Sequence, residues 1–345
     1  MMSQLFRRCM KQGRSGVLLA FAALAAIGAV PAMAQEDAGV AAQTFPVVVE
    51  HALGTTVVAQ KPTRIAAIGW SNHEVPLALG VVPVGFAKVN FGDDDDNGVF
   101  PWVEDRLAEL DADMPPLFDE GDGIDFEAVA ATEPDLILAA YSGINQSDYD
   151  TLSKIAPVVA YSVGPWATSW REVIRLNSTA MGMAQEGEAL VAEIEDKIAA
   201  ITAKYPEIAG KRAMFITHLR ARDLSVIRFY SANDLRVQFF EDLGMISPQS
   251  VRDATEAGRY SGEISVERID SFTDVDIAVT YGGQDLLESL RNNPLTARMP
   301  VIENDALVLM ANDPMGTGAN PTPLAIDWVL QTYVSRLAEA ARNAE

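Results

Sequence analysis

The sequence is poor in the residues that carry most catalytic and metal chemistry. It has one cysteine, Cys9, and three histidines in 345 residues. Scattered histidines do not form a dedicated zinc or manganese site, and no His-Glu-x-x-His motif is present. The Gly-x-Ser-x-Gly elbow of many exported hydrolases is also missing. We therefore expect a protein that is not an enzyme and that holds no metal or other cofactor.

Basic residues are also scarce, with 26 Lys and Arg against 48 Asp and Glu. Four of the basic residues stand in the first 14 positions, ahead of an apolar run over 17–30 and the small residues Ala32-Met33-Ala34. This order is typical of a secretory signal peptide, and the run is too short to span a membrane. We predict that residues 1–34 are a cleaved signal peptide and that the product is a soluble protein of the periplasm.

Cleavage at that position removes four basic residues together with Cys9. The remaining chain has 22 basic and 48 acidic residues, a net charge near −26, and contains no cysteine. Disulfides and thiolate chemistry are then excluded. Nucleic acid and anionic membrane surfaces are disfavoured as partners, whereas a partner that presents arginines is compatible. Solubility alone is the alternative explanation of the acidic excess.

Short apolar strands alternate with helical segments along most of the chain. Strands are predicted at 64–69 and 81–85, separated by a helix that a Ser71–Glu74 capping box would begin. The same alternation begins again at 211–217. This pattern indicates an α/β fold with mainly parallel sheets. We expect two similar lobes, over 45–166 and 207–345, with a ligand cleft between them.

The segment between the lobes, 168–204, predicts a long connecting helix. It has no proline, and Leu190, Ile194, Ile198 and Ile201 follow the helical period. Gly182 and Gly187 oppose an unbroken helix, because each costs about 1 kcal/mol relative to alanine. A continuous helix would span roughly 50 Å. Such a connector allows only modest closure of the lobes.

Two glutamates occupy similar places in the two halves. Glu127 follows Asp125 at the start of a short helix that leads to a strand near 136–139, and Glu267 follows Ser265 ahead of a strand near 277–279. Each carboxylate could simply complement a helix dipole, which contributes about 0.3–1 kcal/mol. The alternative is that the pair contacts something outside the chain.

Several blocks of sequence, in a fixed order, resemble one family of transport proteins. The blocks are 49–56 with 61–65, 77–85, 125–137 and 152–159. The chain resembles the periplasmic substrate-binding proteins of ABC importers for ferric siderophores, which have relatives that bind haem and cobalamin. Segments 98–102 and 141–143 are more similar to the siderophore binders than to the cobalamin branch.

The resemblance implies a function and a set of partners. The protein would capture a ferric siderophore between two lobes joined by a backbone helix, and would deliver it as a monomer to an ABC permease. Glu127 and Glu267 match the glutamates that dock onto permease arginines in this family, and Arg–carboxylate pairs are well suited to that role. The alternatives are a binder of haem, cobalamin or another metal chelate, or a sensory protein that serves a membrane receptor.

Ligand residues are expected on loops at the strand ends that face the cleft. Anionic ferric complexes favour cations and aromatic rings there. Other roles are possible for these residue types: the arginines could pair with Asp223 or Asp234 at the surface, and the tryptophans could lie in the core. The candidates are Trp70, Asn72, Lys88, Trp102, Tyr141 and Trp166 in the first lobe and Arg220, Arg222, Arg228, Tyr230, Tyr281 and Asn312 in the second, with Ser71, Asn90, His218 and Tyr260 as further possibilities.

An acidic loop over Asp93–Asp96 could hold calcium through its carboxylates. It lacks a glutamate at the spacing of an EF-hand, which favours a solvated loop instead.

Overall fold

The computed structural model describes residues 44–217, 219 and 221–344. The predicted signal peptide, His218 and Arg220 lie outside the described residues. Within this part of the chain, no helix has both the length and the apolar character needed to cross a membrane.

The first lobe is built on a five-stranded sheet in which all strands are parallel. Its strands are buried almost throughout, as parallel strands covered by helices on both faces must be. An antiparallel hairpin of β1 (Val47–His51) and β2 (Gly54–Val58) precedes the sheet. The sheet strands are β3 (Ile65–Ala67), β4 (Gly85–Ala87), β5 (Leu117–Phe118), β6 (Leu136–Ala139) and β7 (Val158–Ala160), and the helices are α1 (Glu74–Ala78), α2 (Pro101–Glu109), α3 (Phe126–Ala131) and α4 (Gln146–Leu152).

The connecting segment consists of two helices, α5 (Trp170–Ala180) and α6 (Ala184–Thr202). Gly182 ends α5 with φ 72°, and the N–H groups of Gly182 and Met183 bond back to the carbonyls of Thr179 and Ser178. This is the Schellman arrangement, which needs a left-handed residue after the helix. Cross-helix ion pairs of Arg171 with Glu195 and Arg175 with Glu188 show that the helices run antiparallel. A single unbroken helix over 168–204 is therefore wrong.

The second lobe repeats the strand order of the first. Numbered within each lobe, both sheets have the order 3-2-1-4-5, but in the second lobe the second strand, β9, is antiparallel to its neighbours. The expected two-lobed α/β fold with mainly parallel sheets is confirmed. Its strands are β8 (Ala213–Ile216), β9 (Val226–Tyr230), β10 (Ser261–Ser265), β11 (Ile277–Tyr281) and β12 (Leu307–Met310); its helices are α7 (Leu235–Asp242), α8 (Gln249–Asp253), α9 (Gln284–Asn292), α10 (Pro300–Glu303), α11 (Pro314–Thr317) and α12 (Pro323–Asn343), with 3-10 helices at Pro206–Ile208, Val266–Phe272 and Thr296–Arg298.

A buried carboxylate joins the last helix, α12, to the first lobe. Glu74 has no exposed surface, and its side chain accepts hydrogen bonds from the backbone N–H of Leu324 (2.9 Å) and from Nε1 of Trp102 (2.8 Å). Burial raises the pKa of Glu74, and these donors oppose that shift. The predicted Ser71–Glu74 capping box is wrong, because α1 begins only at Glu74 and the carboxylate satisfies the start of α12 instead.

Candidate functional site

A cavity of about 370 Å³ opens between the lobes and is the main candidate binding site. Its first-lobe wall comes from the loops that follow β3, β4, β5, β6 and β7, and its second-lobe wall from residues at and beyond the ends of β9, β11 and β12. In open α/β sheets, ligands usually bind at the carboxyl ends of the strands, at the point where the strand order reverses. The lining residues are Gly69, Trp70, Ala87, Lys88, Asn90, Phe91, Glu120, Tyr141, Trp166, Tyr230, Arg236, Tyr260, Tyr281, Thr317 and Asn320.

Gly69 allows the two central loops of the first lobe to meet. It has φ 70°, and a Cβ atom there would lie 2.7 Å from Cβ of Ser142 and 2.9 Å from the carbonyl oxygen of Tyr141. Only glycine fits this left-handed position and this close approach. The loop after β3 therefore packs directly on the loop after β6, and Trp70 follows at the cavity wall.

Aromatic rings form much of that wall. The Tyr141 and Trp166 rings make an edge contact with centroids 5.3 Å apart, and Trp70 makes a similar contact with Phe100 at 5.8 Å. Trp166 has φ 59°, an uncommon conformation for a bulky residue. Its ring lies against Gly143, where a Cβ atom would be 2.7 Å from Nε1. Strained backbone of this kind is often found at ligand-binding positions.

Arg236 is the buried cation of the site. Its Nε and Nη2 atoms each donate to Asp234 at 2.7 Å, and the guanidinium lies 3.5 Å from the ring centroid of Tyr230. Burial works against the charge, but the carboxylate of Asp234 more than compensates and raises the pKa of Arg236. Asp234 takes two of the five N–H donors, so donors remain for Tyr281, which is also bonded to Arg236, and for a ligand.

The other polar side chains of the cavity are mostly uncharged. Burial raises the pKa values of Tyr141 and Tyr230, which keeps both hydroxyl groups neutral. Both carboxyl oxygens of Glu120 accept from the single N–H of Gly69, at 3.1 and 3.0 Å. Burial raises the pKa of Glu120 to about 7. Lys88 supplies the remaining positive charge among the lining residues.

Six of the twelve predicted ligand residues line this cavity. They are Trp70, Lys88, Tyr141, Trp166, Tyr230 and Tyr281, and the further candidates Asn90 and Tyr260 join them.

Asn72 and Trp102 are buried away from the cavity. Asn72 has no exposed surface, and its Nδ2 donates to the carbonyls of Ile68 (2.7 Å) and Tyr141 (2.9 Å), so it fixes the loop that carries Tyr141. Trp102 packs in the core and bonds to Glu74. The prediction that they line the cleft is wrong, because their polar groups satisfy buried backbone and side-chain partners.

Arg222 and Arg228 of the second lobe also lie outside this cavity. Arg228 is exposed and pairs with Glu263 at 3.3 Å across the β9–β10 ladder. Arg222 is exposed and outside the cavity wall. Asn312 accepts a hydrogen bond from the N–H of Gly92 (2.9 Å), so it joins the lobes without lining the main cavity.

Sequence reasoning missed Arg236, Glu120, Phe91, Thr317 and Asn320. Arg236 had a usable signal, because it stands in the first turn of α7, two residues after the capping Asp234. Glu120, Phe91 and Asn320 lie in loops, and Thr317 ends the four-residue helix α11, so the sequence pattern does not specify their positions.

Glu127 and Glu267 occupy equivalent points of the two lobes. Both are exposed, in the first turns of α3 and of the 3-10 helix Val266–Phe272. Each of these helices leads to the fourth strand of its sheet, β6 or β11. Their N-cap residues, Asp125 and Ser265, accept backbone hydrogen bonds as the sequence predicts.

The acidic loop brings carboxylates of Asp93, Asp94 and Asp95 within 4.8 Å of one another. Asp93 accepts from the N–H of Gly98 at 2.7 Å, which helps to fix the loop. A solvated loop stays the prediction for this segment, with calcium binding as the alternative.

The fold and the cavity define a solute-binding protein with two α/β lobes. Residues 65–314 match the family described as periplasmic binding protein, and the chain belongs to this family. The chain is 41% identical to the PiaA protein of Streptococcus pneumoniae, solved in complex with ferrichrome; the match covers 87% of this chain and all of that one, with a TM-score of 0.84. It is 26% identical over 238 residues to YfiY of Bacillus subtilis, a probable siderophore-binding lipoprotein, covering 68% of this chain and 67% of the relative. The Staphylococcus aureus SirA protein, complexed with staphyloferrin B, shares the fold at 20% identity and a TM-score of 0.66, covering 86% of this chain and 98% of that one.

Proposed function

We propose that this protein captures a ferric siderophore in the periplasm and delivers it to an ABC permease for iron uptake. The observation that carries the proposal is the interlobe cavity walled by Trp70, Tyr141 and Trp166, with Arg236 buried in it. Family membership and the 41% identity to a ferrichrome-bound protein over most of the chain support it. The function is binding and presentation, without a chemical step and without a resident cofactor.

The charge of the cavity favours a neutral chelate over an anionic one. Asp234 neutralises Arg236, and Lys88 is opposed by Glu120 when that carboxyl is ionised. A tris-catecholate complex of Fe³⁺ carries three negative charges, and burying uncompensated charge is costly. Three monoanionic hydroxamates balance the charge of Fe³⁺. We therefore take a ferric hydroxamate as the ligand class, in place of the anionic complex that the sequence suggested.

Each part of the wall has a role in this proposal. The remaining N–H groups of Arg236 donate to hydroxamate oxygens, and Tyr230 and Tyr281 add neutral hydroxyl donors. Trp70 and Trp166 pack their rings on the ligand's apolar arms, where aromatic burial contributes most of the contact energy. Glu127 and Glu267 stay exposed for the permease arginines, one from each lobe of a monomer.

Tryptophan fluorescence titration tests the proposal, because Trp70 and Trp166 line the cavity. We expect ferrichrome to quench the emission with a Kd at or below about 1 µM, equivalent to about −8 kcal/mol. A ferric tris-catecholate, haem and cobalamin serve as the competing ligand classes. If no ferric hydroxamate binds below about 10 µM while haem or cobalamin does, the assigned ligand class is wrong.

A further inference from the structure

Glu120 lies where the main cavity meets a smaller one. The second cavity has a volume of about 240 Å³ and shares Gly69, Glu120 and Trp166 with the first. A ligand seated in the main cavity can therefore extend one arm past Glu120 into the second. The rest of the second wall is Gly123, Ile124, Ser142, Gly143, Ile144 and Asp148.

The carboxyl group of Glu120 has acceptor capacity to spare. Its two oxygens share one donor, the N–H of Gly69, although an ionised carboxylate has about four acceptor sites. Among the described residues it makes no salt bridge. Lys88 also lines the main cavity, but it forms no ion pair with Glu120. A partly buried carboxylate with one neutral donor favours a ligand that brings a cation.

The surroundings of Glu120 fit a cation of one particular kind. Trp166 lines both cavities, and the faces of aromatic rings attract ammonium groups. Asp148 adds a second carboxylate on the far wall, and no described lysine or arginine lines the second cavity. Together these features match a protonated amine at the end of a flexible arm.

We infer that Glu120 and Trp166 form a subsite for the protonated amine arm of a linear ferric hydroxamate, held in the second cavity while the chelate occupies the first. The inference rests on the proposed function and extends its ligand class to chelates with a pendant ammonium group. Glu120 is then a specificity-determining residue of the cleft.

A matched pair of ligands isolates the ammonium group. Ferrioxamine B carries one protonated amine on a linear trihydroxamate, and its N-acetylated derivative differs by the loss of that charge. We expect the purified protein to bind ferrioxamine B about 10-fold more tightly than the acetylated ligand by calorimetry, because a charge-assisted hydrogen bond is lost on acetylation. Glu120→Gln should reduce the ratio to about 1 by weakening ferrioxamine B alone. Asp122→Asn, at an exposed residue of the same loop, should leave the ratio unchanged.

The pH dependence gives a second readout. Burial raises the pKa of Glu120 to about 7, and an ammonium partner requires the ionised form. The other charged or titratable groups that line the two cavities are Lys88, Asp148, the Arg236–Asp234 pair and the tyrosines 141, 230, 260 and 281. Affinity for ferrioxamine B should fall about 5-fold from pH 8 to pH 6, because only about a tenth of Glu120 stays ionised at pH 6 and the neutral form keeps about a tenth of the affinity. Glu120→Gln and the acetylated ligand should each remove this fall.

Ferrichrome separates failure of the subsite from failure of the proposed function. Wild-type protein that binds ferrichrome but binds the two linear ligands equally contradicts the subsite alone. Equal loss of both linear ligands in Glu120→Gln would also contradict it, because the residue would then be a general part of the wall. Failure to bind any of the three ferric hydroxamates overturns the proposed function together with the subsite.

Discussion

At the scale of single residues, the Arg236–Asp234 pair has the largest energetic consequence. Both side chains are largely removed from solvent, with 12% and 0% of their surfaces exposed. Breaking a buried pair by removing one partner costs about 3–5 kcal/mol, because the other charge is left uncompensated. The pair therefore contributes to the stability of the ligand-free protein as well as to ligand binding.

Replacing Arg236 by glutamine separates these two effects. We expect Arg236→Gln to lower the free energy of unfolding by about 3–5 kcal/mol and the ligand affinity by at least 10-fold, because ligand donors are lost. Urea unfolding and fluorescence titration with ferrichrome measure the two quantities.

Two further variants test the reason for those losses. Asp234→Asn combined with Arg236→Gln removes both charges and keeps an N-cap for α7, so most of the stability should return while the affinity stays low. Arg222→Gln, at an exposed site outside the cavity, should change neither quantity. Full recovery of affinity in the double variant would show that Arg236 does not contact the ligand.

Residue types at strand ends were predictable, whereas their orientation was not. Trp70, Tyr141, Tyr230 and Tyr281 follow or end buried strands, which directs them to the cleft edge. Asn72 stands only two residues after Trp70, yet it turns inward because buried carbonyls need a donor. A single sequence does not show which buried carbonyl groups need a side-chain donor.

At the scale of elements, the loop after β4 joins the lobes across the cleft. The ring of Phe91 contacts the ring of Tyr281 with centroids 5.5 Å apart, and the N–H of Gly92 donates to Asn312. Gly92 has φ 81°, and a Cβ atom there would lie 1.6 Å from Oγ1 of Thr317. This contact between the lobes therefore requires glycine at position 92.

Gly92→Ala should open this contact. We expect the ferrichrome complex to dissociate about 10-fold faster, because the methyl group and Thr317 cannot occupy the same space. Gly80 provides a matched control, since it has φ 78° and no atom within 4 Å of a built Cβ. Both variants carry the backbone cost of alanine in the left-handed region, about 1 kcal/mol, but Gly80→Ala should leave the dissociation rate unchanged. Stopped-flow displacement measures the rates, and equal rates in the two variants would contradict the role of this loop.

The pattern of elements was largely predictable, and the errors lie at helix ends. The β1–β2 hairpin and the alternation of strands and helices follow from hydrophobic periodicity and turn residues. The connector fails as one helix because Gly182 ends α5, while Gly187 lies inside α6 where its missing side chain lets the helix approach Ser178. Both positions are glycine in the sequence, and only the packing around each one shows that Gly182 ends a helix and Gly187 does not.

At the scale of the whole molecule, the repeated strand order places Glu127 and Glu267 at equivalent points of the two lobes. Replacing both by alanine should abolish iron uptake in cells that depend on this protein, while the affinity for ferrichrome stays within about 2-fold, because neither residue lines the cavity. Growth on ferrichrome as iron source and titration of the purified variant measure the two effects.

A second pair of exposed glutamates controls for the loss of surface charge. Glu186 and Glu339, on α6 and α12, are also exposed. Their double alanine variant should support normal uptake. Normal uptake by the Glu127 and Glu267 double variant would remove the docking assignment and leave both residues as helix-dipole partners.

The anchoring of α12 by Glu74 also constrains when the protein can fold. Buried residues of α12, among them Leu330, Tyr333 and Leu337, belong to the same hydrophobic cluster as Val75 and Trp102 of the first lobe. The first lobe thus lacks part of its own core, and the buried Glu74 lacks its backbone donors, until the last segment of the chain arrives. The early half of the polypeptide consequently reaches its final packing only after α12 has been synthesised.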